Sequence, residues 1–465
     1  MSDLDPPRSL RLAPLLVAAL LHAAAFLVLL PPWMGEDEPW QVEYASHVAA
    51  GHAPWGGIAM SGASADKPHD DRELMSLSQL QVRRRLGGVE EDEIRDKQGH
   101  LLDSMREHAF WRRIDFMEWG PGAENFDQVQ PDFTATNQPP AYYLVTGLLL
   151  GALGVEEVEA QMWALRGFSL LCYLAVVVCA WIVGRHLSVD STIAAACALF
   201  VAWLPMHARQ AAVVNNDVLA KVFSGAAIAV AAGLVAGHGG RRRAAGLVVL
   251  LALGLVTKTT AAGALAVGVP ALALAAREHL GRARRLALGG LITLAVAAAG
   301  FATWWFAHNP AMPRNPDALL MRVLRSQHGF REDLWRTFVG AFNWYSRDLP
   351  QAAYAASGVV LALATLGALV ASVRRLDARR GLLLLCWAAV TAQLGLIALR
   401  GVAVGRYFFP VLPALAGLVA VGLLTCLPRR ARRKALALLC VLMILLDGLF
   451  LWSGLAWNQY AVWGV

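Results

Sequence analysis

Three observations predict an all-α, polytopic membrane protein. The 465-residue chain is 57% hydrophobic and only 16% charged, with a mean hydropathy of +0.48. A soluble domain carries about 25% charged residues. Apolar runs long enough for a helix to cross hydrocarbon recur from Leu12 to Trp452. The polar breaks between them alternate between arginine-rich and arginine-poor, which is how cytoplasmic and external loops differ. The net charge of +7 is therefore segregated: residues 31–140 hold 20 of the 34 acidic residues against 10 Lys and Arg. The basic excess sits in short turns, so it marks membrane orientation and argues against nucleic-acid binding. Cys172, Cys179, Cys197, Cys386, Cys426 and Cys440 all fall in or beside apolar runs, without disulfide or zinc spacing, and read as packing residues.

About eleven transmembrane helices follow from the charge pattern. Arg8 and Arg11 place the N-terminus inside, and span one runs outward from Leu12 to Leu30. Pro31-Pro32-Trp33 makes a poor signal-peptide cleavage site, so this helix is expected to be retained. Residues 31–161 form a large first external loop, too long for a connector and expected to carry surface helices. Ala141 to Leu153 is apolar but short and reads as a helix lying at the outer surface. Spans two to four are Met162 to Gly184, Thr192 to His207 and Val218 to Gly237. The 33 residues between Arg243 and Arg277 are flanked by basic turns, so two short spans are expected, with Lys258 near the outer turn. Span seven is Leu286 to Ala307, and residues 308–350 form a second external loop. Spans eight to eleven are Gln351 to Val373, Gly381 to Leu399, Tyr407 to Leu427 and Ala435 to Trp452. Trp33, Trp40, Trp304, Trp305, Trp344, Trp452 and Trp457 fall near outer ends, as an aromatic belt would. The whole chain, 1–465, reads as one membrane domain.

Chemistry is suggested first by Glu36-Asp37-Glu38, three carboxylates just beyond span one. Such groups can bind a cation or take a proton where a lipid-borne head group sits. Further pieces recur at outer span ends. "EDEPWQVEYASHVAAGHAPW" resembles the first external loop of GT-C glycosyltransferases, with its Asp-Glu pair. "NQPPAYYLV" is similar to their Pro-Pro-Leu-Tyr-Tyr segment, "LPMHARQAAVVNNDVLA" to their Asn-Asn-Asp element, and "GLVTKTTA" to their Gly-Leu-x-x-Thr-Lys element. "WWFAHN", "TFVGAFNWYSRDLP" and "GRYFFPVLPAL" resemble three more. The order is kept along nearly the whole chain. The likeness is greatest to protein O-mannosyltransferase-like and aminoarabinose-transferase-like enzymes.

The resemblance implies the GT-C architecture and transfer of a sugar from a polyprenyl-phosphate donor to an acceptor on the outer membrane face. Asp37 aligns with the first acid of the family pair and is the expected general base, with Glu38 beside it. Lys258 and Arg406 are the expected ligands of the donor phosphate, because a cation in or beside the bilayer needs a counter-charge. Snorkelling is the plainer role for Lys258. Arg406 lies beside Gly401 and Gly405, small residues expected to leave room for a lipid. Gln138, Tyr142, Tyr143, Asn216, Asp217 and Tyr407 are expected around the sugar or acceptor, and His328 and Arg331 are expected to close over it. Asp217 reads equally as a helix N-cap and the tyrosines as interface anchors. Two positions depart from the relatives: Trp40 follows the acid pair where they often carry His, and Gln138 precedes the prolines where they often carry His or Lys. No ligand spacing calls for a metal, although the resemblance leaves room for a divalent cation at Asp37 and Glu38.

The expected partners are the lipid-linked donor, a lipid, glycan or protein acceptor, and membrane lipids. The resemblance implies the inner (cytoplasmic) membrane with the active site facing outward. A transporter or flippase of lipid-linked glycans, or an inactive scaffold of envelope assembly, are the alternatives. The lack of visible internal repeats counts against the transporter.

Overall fold

The structure, a computed structural model, describes residues 10–33, 35, 38–51, 104, 107–108, 138–238, 240–278, 327–342, 347–374, 378–400, 404–425 and 427–450. The described chain is helical apart from one short antiparallel ladder, β1 (Ala341–Phe342) with β2 (Arg347–Asp348). Its helices are α1 (Leu12–Leu29), α2 (Glu38–Ala49), α3 (Ala141–Leu153), α4 (Val158–Leu187), α5 (Ser191–Ala202), α6 (Pro205–Ala211), α7 (Asp217–Val235), α8 (Arg241–Thr257) and α9 (Leu265–Glu278). After them come α10 (Gln327–Val339), α11 (Gln351–Arg374), α12 (Ala378–Arg400), α13 (Leu412–Thr425) and α14 (Arg429–Phe450). Two 3-10 segments, Thr259–Ala264 and Gly405–Val411, lead into α9 and α13.

Six described helical units are long and apolar enough to cross a membrane, or seven if the bent pair α5–α6 counts as one. The expected eleven differ from this in identifiable places. The seventh expected span, 286–307, lies outside the described residues. Helices α8 and α9 occupy the fifth and sixth positions, but with 17 and 14 residues they are short for full crossings. Helix α14 begins in the basic run Arg429 to Lys434. Span three, expected to be continuous, breaks between Ala202 and Pro205 and bends by 65°. Pro205 has no N–H to offer Val201, one turn back. His207 Nδ1 meets the Val201 carbonyl instead, at 2.9 Å. The Ala202 carbonyl is met by Tyr173 Oη at 2.6 Å and His22 Nδ1 at 3.0 Å. Polar backbone freed in an apolar bundle has to be satisfied inside it.

Helices α5 and α13 are enclosed along nearly their whole length and form the centre with α4 and α7. Peripheral helices turn large apolar side chains outward, among them Leu21, Val28, Leu363, Val373 and Leu438. Water would penalise such an exterior, and hydrocarbon does not. Where apolar solvent removes the hydrophobic drive between helices, close backbone contact takes its place. A Cβ on Gly367 of α11 would lie 2.2 Å from the Gly422 carbonyl oxygen of α13, and one on Gly422 would lie 1.8 Å from the Ala364 oxygen. Trp33, expected in an interfacial belt, is instead fully buried, with φ of 68° and its indole donating to Ser104 Oγ at 2.9 Å.

On the basic side, Asp190 caps α5 through the Thr192 amide at 2.9 Å and meets Arg432 of α14 at 3.1 Å. Burial acts to raise this carboxyl, but the Thr192 hydrogen bonds and Arg432 outweigh it and hold it below its ordinary value. A depressed folded value gives stability that is present above about pH 4 and lost as pH falls through the folded value. Asp190→Asn keeps the cap and removes the charge. It is expected to cost about 0.5–1 kcal/mol at pH 7 and progressively less as pH falls below about 4, measured by thermal unfolding in detergent. Gly422→Val should be more severe, about 1–3 kcal/mol or failure to fold, because backbone fills the space its side chain needs.

Candidate functional site

The chain leaves α1 through Pro31-Pro32 and turns at Trp33, a non-glycine residue in the left-handed region. Such a residue persists only where its surroundings over-determine it. Here the Ser104 bond holds the indole, and the Gly35 amide donates to Glu38. Glu38 opens α2 and is fully buried. Its Oε1 accepts from Arg166 Nε at 2.8 Å and from the Val214 amide at 2.9 Å. Its Oε2 accepts from Arg166 Nη2 at 2.7 Å and from the Gly35 amide at 3.1 Å. Arg166, also fully buried, donates onward to the carbonyls of Leu30 and Pro31 at 2.9 and 2.8 Å. One ion pair thus joins the end of α1, the start of α2, the middle of α4 and the segment before α7.

Both Glu38 oxygens are engaged, so Glu38 does not fit as a ligand for the divalent cation that the resemblance leaves room for. Glu36 and Asp37 lie outside the described residues. Among the described residues, no three His, Cys, Asp or Glu converge on one point.

A second cluster forms where three helices begin or break. Asp217, the first residue of α7, is fully enclosed. Its Oδ1 stands 2.6 Å from Lys258 Nζ and its Oδ2 3.6 Å from Arg406 Nε. Asp217 is therefore not the N-cap that the sequence also allowed: Asn216 holds that position, and the Asp217 amide donates to Asn215 Oδ1 at 2.8 Å. The start of α7 adds its dipole in favour of the carboxylate. Lys258 stands in extended backbone between α8 and the first 3-10 segment, is 7% exposed, and also donates to Asn216 Oδ1 at 2.7 Å. It is paired rather than snorkelling. Arg406 stands in the second 3-10 segment, and Lys258 and Arg406 lie 5.5 and 5.7 Å from the Tyr407 ring centre.

Asn216 carries the cluster toward the acidic turn. Its amide nitrogen is 3.4 Å from Tyr143 Oη and 3.5 Å from Gln138 Oε1. Tyr143 in turn donates to Gln41 of α2 at 2.7 Å, one turn from Glu38. Gln138, Tyr143, Asn216, Asp217, Lys258, Arg406 and Tyr407 are thus brought together from four separate stretches of chain. Tyr142 packs edge-on against Tyr143, 5.3 Å between ring centres. Burial, with Cys172 and Glu38 nearby, raises its hydroxyl well above its ordinary value. His328 and Arg331 lie on α10, whose far end packs on the second 3-10 segment. The space expected beside Gly405 is taken by α10: the Gly405 amide donates to Thr337 Oγ1 at 2.7 Å, and a Cβ there would lie 2.1 Å from the Phe338 nitrogen.

Three buried cations among the described residues escaped the sequence reading: Arg166, Arg209 and Lys221. Arg166 lay unremarked inside an apolar run, where the need for a counter-charge was the available signal. Lys221, one turn beyond Asp217, is buried, donates to Gln210 Oε1 and lies 5.3 Å from the Phe409 ring centre. Among the described residues, Lys221, Lys258 and Arg406 gather around the single carboxylate of Asp217. Beyond Phe408 lies an apolar cavity of about 390 Å³ between α10, α11, α12 and α13, lined by Trp335, Phe338, Leu361, Trp387, Leu394 and Val419 among others.

Breaking the Glu38–Arg166 pair strands a buried charge. Glu38→Leu and Arg166→Leu are each expected to cost about 3–5 kcal/mol, while the double variant recovers most of that loss, as read by thermal unfolding in detergent.

No curated protein and no solved structure matches this chain. A family model described as "Predicted membrane protein (DUF2142)" matches residues 20–416, which include Glu38, Arg166, Asp217, Lys258 and Arg406. With most of its length matched, and with apolar helices of membrane-crossing length, the chain is a membrane protein and belongs to the DUF2142 family.

Proposed function

We propose that this protein is a GT-C-type glycosyltransferase of about eleven spans. In this reading it moves a sugar from a polyprenyl-phosphate donor to an acceptor at the outer face of the inner membrane. The observation that carries the reading is the gathering of Lys221, Lys258 and Arg406 around one carboxylate, at a place linked through Asn216, Tyr143 and Gln41 to the acidic turn. Positive charge in an apolar bundle is costly unless an anion joins it. A lipid phosphate supplies such an anion, and the neighbouring apolar cavity suits part of an isoprenoid chain.

The chemistry divides as follows. Asp37 takes the proton of the acceptor hydroxyl, and the acceptor oxygen forms a bond to the anomeric carbon from the side opposite the phosphate. The bond from that carbon to the phosphate oxygen breaks, and its electron pair stays on the phosphate. Lys258 and Arg406 stabilise the negative charge that grows there, so no second carboxyl group is required to protonate the leaving group. Asp217 holds the two cations apart and oriented between turnovers. Glu38, saturated by Arg166 and two amides, fixes the start of α2 next to Asp37 in the chain. Gln138, Tyr142, Tyr143, Asn216 and Tyr407 form the wall toward the sugar, and His328 and Arg331 close the site from the second external loop.

A transporter of lipid-linked glycans is the second reading. One observation favours it: His22 and Asp447 form an ionisable pair inside the helical bundle.

The test supplies membranes with a panel of labelled polyprenyl-phosphate sugars and a native acceptor extract. Wild-type transfer is expected, with Asp37→Asn lowering the rate about 10²–10⁴-fold at matched expression. Arg406→Gln and Lys258→Gln should lower it by roughly 10²-fold, the range for removing one preorganised charge partner. Equal turnover in wild type and Asp37→Asn removes Asp37 from the mechanism. Silence across the panel, together with movement of a lipid-linked glycan between leaflets of proteoliposomes, overturns the transferase reading in favour of the transporter.

A further inference from the structure

His22 lies midway along α1 and Asp447 near the end of α14, yet His22 Nε2 and Asp447 Oδ2 are 2.9 Å apart, with both side chains less than 10% exposed. His22 Nδ1 meets the Ala202 carbonyl at 3.0 Å. The imidazole stacks on Trp203, 5.3 Å between centres and 7° between planes, and meets the edge of Phe26. His22 lies about 15 Å and Ala202 about 17 Å along their helices from the basic end, and Asp447 about 20 Å beyond Lys434. Three helices thus bring polar groups to the point where the α5–α6 span is broken.

The hydrogen-bonding roles follow from the Ala202 carbonyl. A carbonyl oxygen only accepts, so His22 Nδ1 carries its proton. Nε2 then faces Asp447 Oδ2. The other groups close to this point are Tyr173 of α4, which shares the Ala202 carbonyl, and His207 of α6, whose ring centre is 5.0 Å from that of Tyr173.

We propose that His22 and Asp447 are a positioning pair that ties α14 to α1 and holds open the α5–α6 break. The break is what turns the chain toward the candidate site. Helix α6 leads into Val214, whose amide caps Glu38, and Asn216, which holds Lys258. The pair also secures α14, which lies beyond the residues matched by the family model. The Asp190–Arg432 contact secures the same helix at its basic end. In this arrangement the C-terminal helix acts on the site through the broken span. The inference is independent of the reaction the site performs.

The test uses the full-length chain in nanodiscs. Amide exchange is followed in peptides covering 199–217, with 351–374 as an internal reference. His22→Leu and Asp447→Leu are each expected to speed exchange across 199–217 by about tenfold or more and to leave the reference unchanged. The double variant is expected to exchange at least as fast as His22→Leu, because the bond from His22 Nδ1 to the Ala202 carbonyl is lost in both. ¹⁵N spectra of histidine-labelled protein, assigned by difference with His22→Leu, should show a protonated Nδ1 on His22. Asp447→Asn retains a hydrogen-bonding group and covers the case in which the leucine variants do not fold. It is expected to keep 199–217 protected and to keep the proton on His22 Nδ1. Exchange unchanged in the single variants, a double variant as protected as wild type, or a His22 ring protonated only on Nε2 would each overturn the proposal.

Discussion

The buried Glu38–Arg166 pair is the constraint on which the rest of the arrangement depends. Neither charge has access to water, so each must be fully paired, and the pairing is complete. Because Arg166 also binds the carbonyls at the end of α1, and Glu38 the amides of Gly35 and Val214, four chain segments meet with no freedom to slide. The strained backbone at Trp33 is tolerable within this frame. A buried ion pair is weak evidence for net stability, since an apolar substitute is often as good. Its effect here is geometric: it fixes the end of α1 against the start of α2.

Several of the described ions stand where helices begin or break, although Arg166 and Lys221 lie within continuous ones. Asp217 begins a helix, Lys258 separates two short ones, Arg406 stands in a 3-10 segment and His22 faces a helix break. Continuous helices satisfy their own backbone and leave less for a charge to bind. Interrupted ones free carbonyls and amides, and the same places hold side-chain charges more cheaply. The broken α5–α6 span is the clearest instance, with Tyr173, His207 and His22 each covering a carbonyl freed by the break or by Pro205.

Much of the helix inventory was legible in the chain. The expected Gln351 to Val373 is found as Gln351–Arg374, and the turn expected at Lys258 lies between two short helices. Hydropathy windows stop at charges, however, whereas helices continue to their caps. That is why Met162 to Gly184 became Val158–Leu187, with Arg166 inside it. The break after Ala202 was missed although Pro205 was visible, because apolar content was read as continuity. Trp33 was assigned to an interface by its type and position, and its burial against Ser104 depends on contacts more than 70 residues away.

The sequence by itself determined the solvent, the apolar helices and the residue types available for chemistry, because hydropathy, loop charge and chemical type are local properties. It also singled out Gln138, Tyr143, Asn216, Asp217, Lys258 and Arg406 from separate stretches. Only the tertiary structure decided which of these meet, that Glu38 is saturated by Arg166, and that His22 faces Asp447 across 425 positions of chain. Pairing of buried charges is a property of distance in space, and nothing in a residue's neighbours along the chain encodes it.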